Sequence, residues 1–335
     1  MNLDKFNELV SSAKCIVIVQ ADNPDGDSLA SSLALEGFME DLGKKATMYC
    51  AVDIPSYLRH ISGWDRVVHE LPKNFDLSII VDTSSISLLE TLVKNGEISW
   101  LKTRPAVIVD HHSTDPTIDF ATDIINLPAS STGELIYDIA SANKWDIKPD
   151  NAEYLATSIL FDTLGLTSES VNAKTLLTMS KLLEKGVSLA KLEERRRLSN
   201  KKSLSLVKYK AKLLDRIELS GDGRVATIDI PFSEIEKYSH EYNPSMLVLD
   251  EMRMIDSVLV AIAFKSYPDG KITAKIRANL GIKIAGKLAE SFGGGGHAYA
   301  SGFKVKNSKT LAETKIECIN KAIELIDSLD KNEII

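Results

Sequence analysis

The stretch Ala106-Val107-Ile108-Val109-Asp110-His111-His112-Ser113 decides how we interpret the rest of the chain. Its apolar half is rich in β-branched residues and predicts a buried strand of a parallel sheet. The strand ends in an acid and two imidazoles. Ligands of open parallel sheets bind beyond the carboxyl ends of the strands. A histidine pair at a strand end is at least as often structural as metal-binding, so this stretch alone does not identify a site.

Three further apolar runs also end in carboxylates. The run 15–20 leads into Asp22-Asn23-Pro24-Asp25-Gly26-Asp27-Ser28, the run 77–81 into Asp82, and the run 155–161, which predicts a helix, into Asp162. Any one of these aspartates could equally cap a helix or occupy a turn. Carboxylates that converge at one sheet edge repel one another unless cations hold them, and oxygen with imidazole suits Mn, Mg, Zn or Fe. The four stretches together favour a metal site.

Strand and helix signals alternate through the first half of the chain, which indicates an α/β fold with a parallel sheet. A turn at Gly221-Asp222-Gly223 begins a second domain. Helices are predicted at 28–42, 85–95, 131–142, 150–163, 172–185, 188–197, 282–291 and 309–328. Further strands are predicted at 46–50 and 224–230, in a hairpin of 257–264 with 271–278, and near 302–306.

Composition limits the class of protein. The 335 residues carry a net charge of −7, which argues against binding of long duplex nucleic acid through the overall charge of the protein. The segment 181–216 is locally basic, with 12 Lys or Arg against four acids; it is either a solvated helical face or a guide for a polyanion. The cysteines at 15, 50 and 318 lie far apart and predict free thiols of a reducing compartment. With no membrane-length apolar run and no signal pattern, we expect a cytoplasmic protein.

The spacing of the acids indicates phosphate chemistry. Asp25 and Asp27 are separated by one glycine, so both carboxylates can reach one face of a tight turn. With acids and an imidazole from other strand ends, they could hold two divalent ions, which activate water and clamp phosphoryl oxygens. Dehydrogenase chemistry is disfavoured because the first strand lacks a GxGxxG turn.

A second group of residues suggests anion binding. Gly293-Gly294-Gly295-Gly296 would let backbone amides approach an anion, and His297 follows directly. Arg277, on a predicted strand, could supply a bidentate guanidinium. The alternative interpretation is a flexible hinge and an ordinary strand arginine. We favour anion binding.

In this order, these motifs resemble the DHH/DHHA1 phosphoesterases. The motifs are Asn23-Pro24-Asp25-Gly26-Asp27, Asp82, Asp110-His111-His112, Asp162-Thr163, and Gly293–His297 with Ala300 and Gly302. The family includes RecJ-like nucleases and NrnA-type oligoribonucleases that also act on 3′-phosphoadenosine 5′-phosphate. The resemblance implies a parallel-sheet DHH catalytic domain at 1–185, a linker helix at 186–218 and a smaller mixed α/β DHHA1 substrate-binding domain at 219–330, across a cleft.

The resemblance also assigns roles to individual residues. It implies two Mn²⁺ ions with the ligands Asp25, Asp27, Asp82, His111 and Asp162. Asp82 would bridge the ions, Asp110 would orient its neighbours, and His112 would contact the scissile phosphate. Substrate recognition falls to Arg277, Gly294, Gly295, Gly296 and His297. Expected substrates are short single-stranded RNA or DNA oligonucleotides and nucleoside bisphosphates; a homodimer is left open.

One position departs from the family pattern. A histidine ligand of the first metal usually stands four residues before the first aspartate of the turn, where this chain has Ala21. We therefore expect a first metal that is weakly held, differently ligated or absent. Alternative activities are a cyclic- or linear-dinucleotide phosphodiesterase and a nucleotide-binding protein with impaired catalysis. The glycine motif argues against an inorganic pyrophosphatase.

Overall fold

The computed structural model describes residues 2–113, 115–296, 298–306 and 309–329. The chain divides into two compact units, Met1–Lys201 and Lys202–Ile335. The boundary between the units falls inside the range 186–218, for which the sequence predicts one linker helix. The structure has two helices in this range, one in each unit. None of the described helices is long and apolar enough to cross a membrane.

The first unit is built on a five-stranded, wholly parallel sheet of order β2-β1-β3-β4-β5. Its strands are β1 (Cys15–Val19), β2 (Lys45–Tyr49), β3 (Leu77–Val81), β4 (Ala106–Asp110) and β5 (Asp123–Asn126). Its α-helices are α1 (Asp4–Ser12), α2 (Gly26–Asp41), α3 (Glu90–Lys94), α4 (Ile98–Lys102), α5 (Thr132–Ala142), α6 (Pro149–Asp162), α7 (Ala173–Glu184) and α8 (Leu189–Ser199). Short 3-10 helices lie at Ser56–Leu58, Trp64–Arg66 and Ile86–Leu89.

The burial of both sheet faces explains the apolar strands. Strands β3 and β4 are buried along their whole length, because one core packs on each face of the sheet. Helix α2 is buried on almost every side, since it packs against β1 and also against α5 and α6. Its run of leucine, alanine and serine therefore lacks a polar face. The predicted α/β class and parallel sheet are confirmed, whereas the short edge strand β5 was not predicted.

The second unit has a six-stranded mixed sheet of order β10-β11-β9-β8-β7-β6. The predicted hairpin is present, with β8 and β9 antiparallel. The strands are β6 (Glu218–Ser220), β7 (Val225–Ile230), β8 (Val260–Ser266), β9 (Lys271–Ala278), β10 (Gly295–Gly296) and β11 (Ala300–Lys306). The α-helices are α9 (Leu204–Leu214), α10 (Phe232–Tyr238), α11 (Leu249–Arg253), α12 (Ala285–Glu290) and α13 (Leu311–Asp327), with a 3-10 helix at Pro244–Leu247.

The burial of side chains along β9 alternates, as expected for a strand with one face in the core. Ile272, Ala274 and Ile276 are buried in the core, and the intervening positions are partly exposed. Arg277 is one of these partly exposed positions, and it pairs with Ala261 of β8 and Ala300 of β11. Both of these neighbours have small side chains.

Candidate active site

Five predicted site residues lie at or next to the ends of strands and helices of the first unit. Asp25 caps the N-terminus of α2: its carboxylate accepts from the amide of Ser28, and the Ser28 hydroxyl accepts from the amide of Asp25, both at 3.0 Å. Asp27 lies in the first turn of α2, and Asp82 directly follows β3. Asp110 is the last residue of β4, and Asp162 is the last residue of α6.

The imidazole of His111 brings several of these carboxylates together. Its Nε2 lies 2.9 Å from Oδ2 of Asp162, 3.6 Å from Oδ2 of Asp27 and 3.7 Å from Oδ1 of Asp82. Two groups of ligand atoms compact enough for a metal result: Asp27 with His111 and Asp162, and Asp82 with His111 and His112. His111 belongs to both. Asp25, predicted as a ligand, is in neither of the groups found among the described residues.

The surroundings of His111 fit a metal ligand. Its Nδ1 lies 3.1 Å from the carbonyl of Ala129, so the proton belongs on Nδ1 and the lone pair on Nε2. Although Nε2 is buried and close to carboxylates, it makes no hydrogen bond of acceptable geometry within the described part of the chain. A nitrogen lone pair directed among hard oxygens is a suitable donor set for Mn²⁺ or Mg²⁺. These residues could hold divalent ions.

The crowding of carboxylates perturbs their protonation. Burial, and then the charges of Asp27, Asp25 and Asp162, raise the pKa of Asp82 well above its usual value. Burial and Asp162 likewise raise the pKa of Asp27. For His111, burial lowers the pKa, but the nearby carboxylates of Asp162 and Asp27 outweigh it and raise the pKa to about 9. Protons and divalent cations therefore compete for these groups.

Asp27 is held by a set of donors that the sequence did not reveal. Its Oδ2 accepts from the amide of Thr132 at 2.8 Å, and its Oδ1 accepts from the hydroxyl of Ser31 at 2.9 Å and from that of Ser158. The N-terminus of α5 thus directs its amide and its dipole at a buried carboxylate. The stretch Ser130-Ser131-Thr132 had indicated only the start of a helix. The three consecutive hydroxyl side chains of this stretch were the feature of the sequence that could have indicated hydrogen bonds to a carboxylate.

Asp110 and His112 form a separate pair. Nδ1 of His112 donates to Oδ1 of Asp110 at 2.7 Å, and Asp110 is fully buried. This hydrogen bond raises the pKa of His112. Burial would raise the pKa of Asp110, but the bond to His112 outweighs it and the pKa is lowered. The carbonyl of His112 accepts from Nδ2 of Asn126, which anchors the segment after β4. Half of the His112 side chain stays exposed, so its Nε2 is available to a ligand.

The region of Ala21 is buried. Ala21 is 6% exposed, and its carbonyl accepts from the thiol of Cys50 at 3.4 Å. Oδ2 of the neighbouring Asp22 accepts from the amide of Thr91 at 2.7 Å and so belongs to the start of α3. Gln20 is 1% exposed, and neither atom of its amide has a hydrogen-bond partner within the described residues.

In the second unit, the glycine segment has a packing role. Gly295 and Gly296 pair with Gly302 and Ser301 of β11. A Cβ at Gly294 would lie 2.3 Å from the carbonyl oxygen of Gly302, so only glycine permits this approach. Arg277 lines a shared groove with Gly294, and its Nη1 donates to the carbonyl of Ile276 at 2.9 Å. His297, predicted to bind substrate, lies outside the described residues.

Comparison with known proteins agrees with this arrangement of domains. The DHH family N-terminal domain matches residues 15–159, and the DHHA1 domain matches residues 237–329. The chain belongs to the DHH/DHHA1 phosphoesterases. It is therefore a hydrolase that acts on phosphate ester bonds, as the sequence predicted.

Individual relatives cover most of the chain. The bifunctional oligoribonuclease and PAP phosphatase NrnA of Thermus thermophilus is 24% identical over 288 residues, which span 85% of this chain and 82% of that protein. An exopolyphosphatase-related protein from Bacteroides fragilis has the same fold, with a TM-score of 0.84, 23% identity and coverage of 96% and 95%. An exonuclease RecJ bound to manganese is more distant, with a TM-score of 0.53, 14% identity and coverage of 100% and 98%.

Proposed function

We propose that this DHH/DHHA1 phosphoesterase hydrolyses short oligoribonucleotides and 3′-phosphoadenosine 5′-phosphate at a site for two divalent ions, preferably Mn²⁺. The observation that carries the proposal is the convergence of Asp27, Asp82 and Asp162 on His111, which belongs to both compact groups of ligand residues found among the described residues. The substrates are those in the name of the NrnA relative. Manganese is supported by the imidazole and carboxylate donor set and by the manganese-bound RecJ.

Each residue has a defined task in this proposal. Asp27, Asp82, His111 and Asp162 would hold the ions, and Asp25 would contribute from the cap of α2. When bound, divalent ions supply Lewis acidity for the phosphoryl group and lower the pKa of water. His112 is kept protonated on Nδ1 by Asp110, and its side chain is about half exposed. Because its pKa is raised, its imidazolium form can donate to a phosphate oxygen and stabilise the developing charge.

Arg277 is the proposed anchor for a second phosphate or a ribose. Burial lowers the pKa of Arg277, so its charge is poorly solvated and would gain from an anionic ligand. Loss of such a charge-assisted contact costs roughly 1.5–3 kcal/mol, about 10–150-fold in kcat/KM. Bis-p-nitrophenyl phosphate has one phosphate and no ribose, so we expect Arg277→Ala to impair hydrolysis of a dinucleotide and to spare this substrate.

The decisive experiment is a Mn²⁺ titration of hydrolysis with the dinucleotide ApA and with 3′-phosphoadenosine 5′-phosphate. We expect no turnover in excess chelator, saturable activation by Mn²⁺, and loss of activity in His111→Ala. His69→Ala, at a histidine that belongs to neither metal group, is the matched control and should retain activity. Full activity in chelator would contradict metal dependence. Binding of ApA without hydrolysis at saturating Mn²⁺ would identify a nucleotide-binding protein with impaired catalysis instead.

A further inference from the structure

The first unit contains a cavity that the proposed reaction does not use. Its volume is about 620 Å³, and it lies between α6, α8 and the segment 60–62. This volume is in the range of small-molecule sites, which are mostly apolar with few polar groups. The apolar side chains that line it include Ile61, Leu160, Phe161, Leu164, Leu189 and Leu192.

The cavity adjoins the candidate metal ligands through Phe161. Phe161 immediately precedes Asp162 on α6. Its ring lies against the backbone of Gly26, where an added Cβ would be 2.0 Å from Cγ of the ring. Gly26 is the residue between Asp25 and Asp27. One wall of the cavity is therefore in contact with the turn that carries two predicted ligands.

The cavity walls favour an uncharged planar group. His60 and Phe161 present stacked rings with centroids 6.0 Å apart. Nδ1 of His60 lies 2.8 Å from the carbonyl of Tyr57, which leaves Nε2 as an acceptor. The two arginines at the rim are each paired with a glutamate: Arg195 with Glu153 and Arg196 with Glu193. The rim is therefore close to neutral and poorly suited to a free phosphate.

The rim also carries a leucine that the fold does not bury. Leu164 is 75% exposed and has φ of +51°, in a left-handed run that continues through Gly165 and Leu166. A branched apolar residue rarely adopts this conformation, which costs on the order of 1–3 kcal/mol and persists mainly at functional sites. At the mouth of an apolar cavity, this side chain is placed to cover a ligand.

We propose that this cavity binds the nucleobase of the substrate nucleotide nearest the metal ligands. The inference rests on the proposed function and extends it to recognition of the base. Aromatic faces accept any base, because every base has a π-face, so we expect little preference among the four. The cavity then distinguishes nucleotides from phosphate esters that lack a base.

The test fills the cavity from α8 with Leu192→Trp. Leu177→Trp, at an exposed position of α7 that does not line the cavity, is the matched control. Substrates are ApA and its analogue with both bases replaced by hydrogen, assayed with Mn²⁺. We expect the parent and the control to hydrolyse ApA at least 10-fold more efficiently than the abasic analogue. Leu192→Trp should lose this preference and hydrolyse the abasic analogue at the parental rate.

A binding measurement separates failure of this inference from failure of the proposed function. Adenosine, which has no phosphate, should bind the metal-free parent and the control but not Leu192→Trp, by ligand-observed NMR. Leu164→Ser at the exposed rim provides the same test if Leu192→Trp does not fold. Absence of ApA hydrolysis by the parent would overturn the proposed function. Hydrolysis of ApA with equal use of the abasic analogue, or with no adenosine binding, would overturn the base site alone.

Discussion

The backbone amide of Thr132 donates to Oδ2 of Asp27 at 2.8 Å, although 105 residues separate them in the sequence. The hydroxyl of the same threonine donates to Oδ1 of Asp82 at 2.9 Å. One residue at the start of α5 thus fixes the orientation of two predicted ligands that come from different elements. Thr132 is fully buried and acts through these two carboxylates, so it is a positioning residue.

We predict that Thr132→Val weakens metal binding and leaves the fold intact. Valine has the shape of threonine and keeps the amide bond to Asp27, so only the hydroxyl bond to Asp82 is lost. Loss of a partner that orients a ligand typically costs about 10–100-fold in metal affinity. Electron paramagnetic resonance of free Mn²⁺ measures this affinity without substrate. Thr178→Val, a buried threonine of α7, is the control, and equal affinities in the two variants would contradict the role of Thr132.

Asp82→Asn tests the electrostatic cost of the site. Because the pKa of Asp82 is raised, the folded state binds its proton more tightly than the unfolded state does. Its contribution to stability is present below the unfolded pKa and is lost as pH rises through the folded pKa. At pH 8 in chelator we therefore expect Asn to raise Tm, by about 2–4 °C for each kcal/mol of repulsion removed.

The same variant should lose the stabilisation by metal. Mn²⁺ raises the Tm of the parent, since a ligand that binds only the folded state stabilises it. In Asp82→Asn this increase should largely vanish. Thermal unfolding with and without Mn²⁺, at pH 8 and pH 5, measures both effects. If Asp82→Asn has a lower Tm than the parent in chelator at pH 8, the charge of Asp82 does not destabilise the folded state.

Much of the first unit could be predicted from the sequence, because its signals are local. Runs such as 77–81 and 106–109 are apolar without alternation, as strands buried on both faces must be. The carboxyl ends of such strands meet at one edge, so the approach of Asp82 to His111 followed from topology alone. Near Tyr57–Ile61 the sequence predicts a helical stretch, and the structure has a short 3-10 helix at Ser56–Leu58.

What the sequence could not reveal depends on contacts between distant elements. Nothing near Asp27 indicates that its partners are Thr132 and Ser158, since those contacts arise from the packing of α2 against α5 and α6. Asp82 has φ of +59°, a conformation that aspartate tolerates but that its neighbours in the sequence do not signal. The basic run at Arg195 and Arg196 is largely neutralised by glutamates, one of them on α6.

Lys265 of the second unit gives a prediction at alkaline pH. Burial and the nearby Lys275 lower its pKa from 10.5 to about 8, although Nζ donates to Oδ1 of Asn243 at 2.6 Å. The folded state releases this proton before the unfolded state does, so the free energy of unfolding should rise between pH 8 and 10. The gain is at most roughly 3 kcal/mol, at about 1.4 kcal/mol for each pKa unit.

Lys265→Met should remove this rise and make the protein more stable at pH 7. Chemical unfolding monitored at pH 7 and pH 10 gives the comparison. Lys304→Met, at an exposed lysine of β11 on the far side of β9, is the control and should keep the parental pH dependence. If Lys265→Met and the parent show the same change between the two pH values, Lys265 has an ordinary pKa and its burial is not a cost.

The final prediction concerns Ala21, where the resemblance to the family implies an imidazole ligand. The neighbouring Asp22 is held by the amide of Thr91 through Oδ2, whereas its buried Oδ1 has no hydrogen-bond partner within the described residues. Ala21→His should lower the Mn²⁺ concentration for half-maximal hydrolysis, by about 10–100-fold if the added imidazole completes the first metal site. Ala21→Ser adds a polar atom without an imidazole and should leave the requirement near that of the parent. Gln20 is the competing explanation, because its buried amide has no partner in the described chain. If Gln20 already completes the site, Ala21→His will not help and Gln20→Leu will raise the Mn²⁺ requirement. The reverse pattern, with gain in Ala21→His and no loss in Gln20→Leu, would show that the first site lacks a ligand.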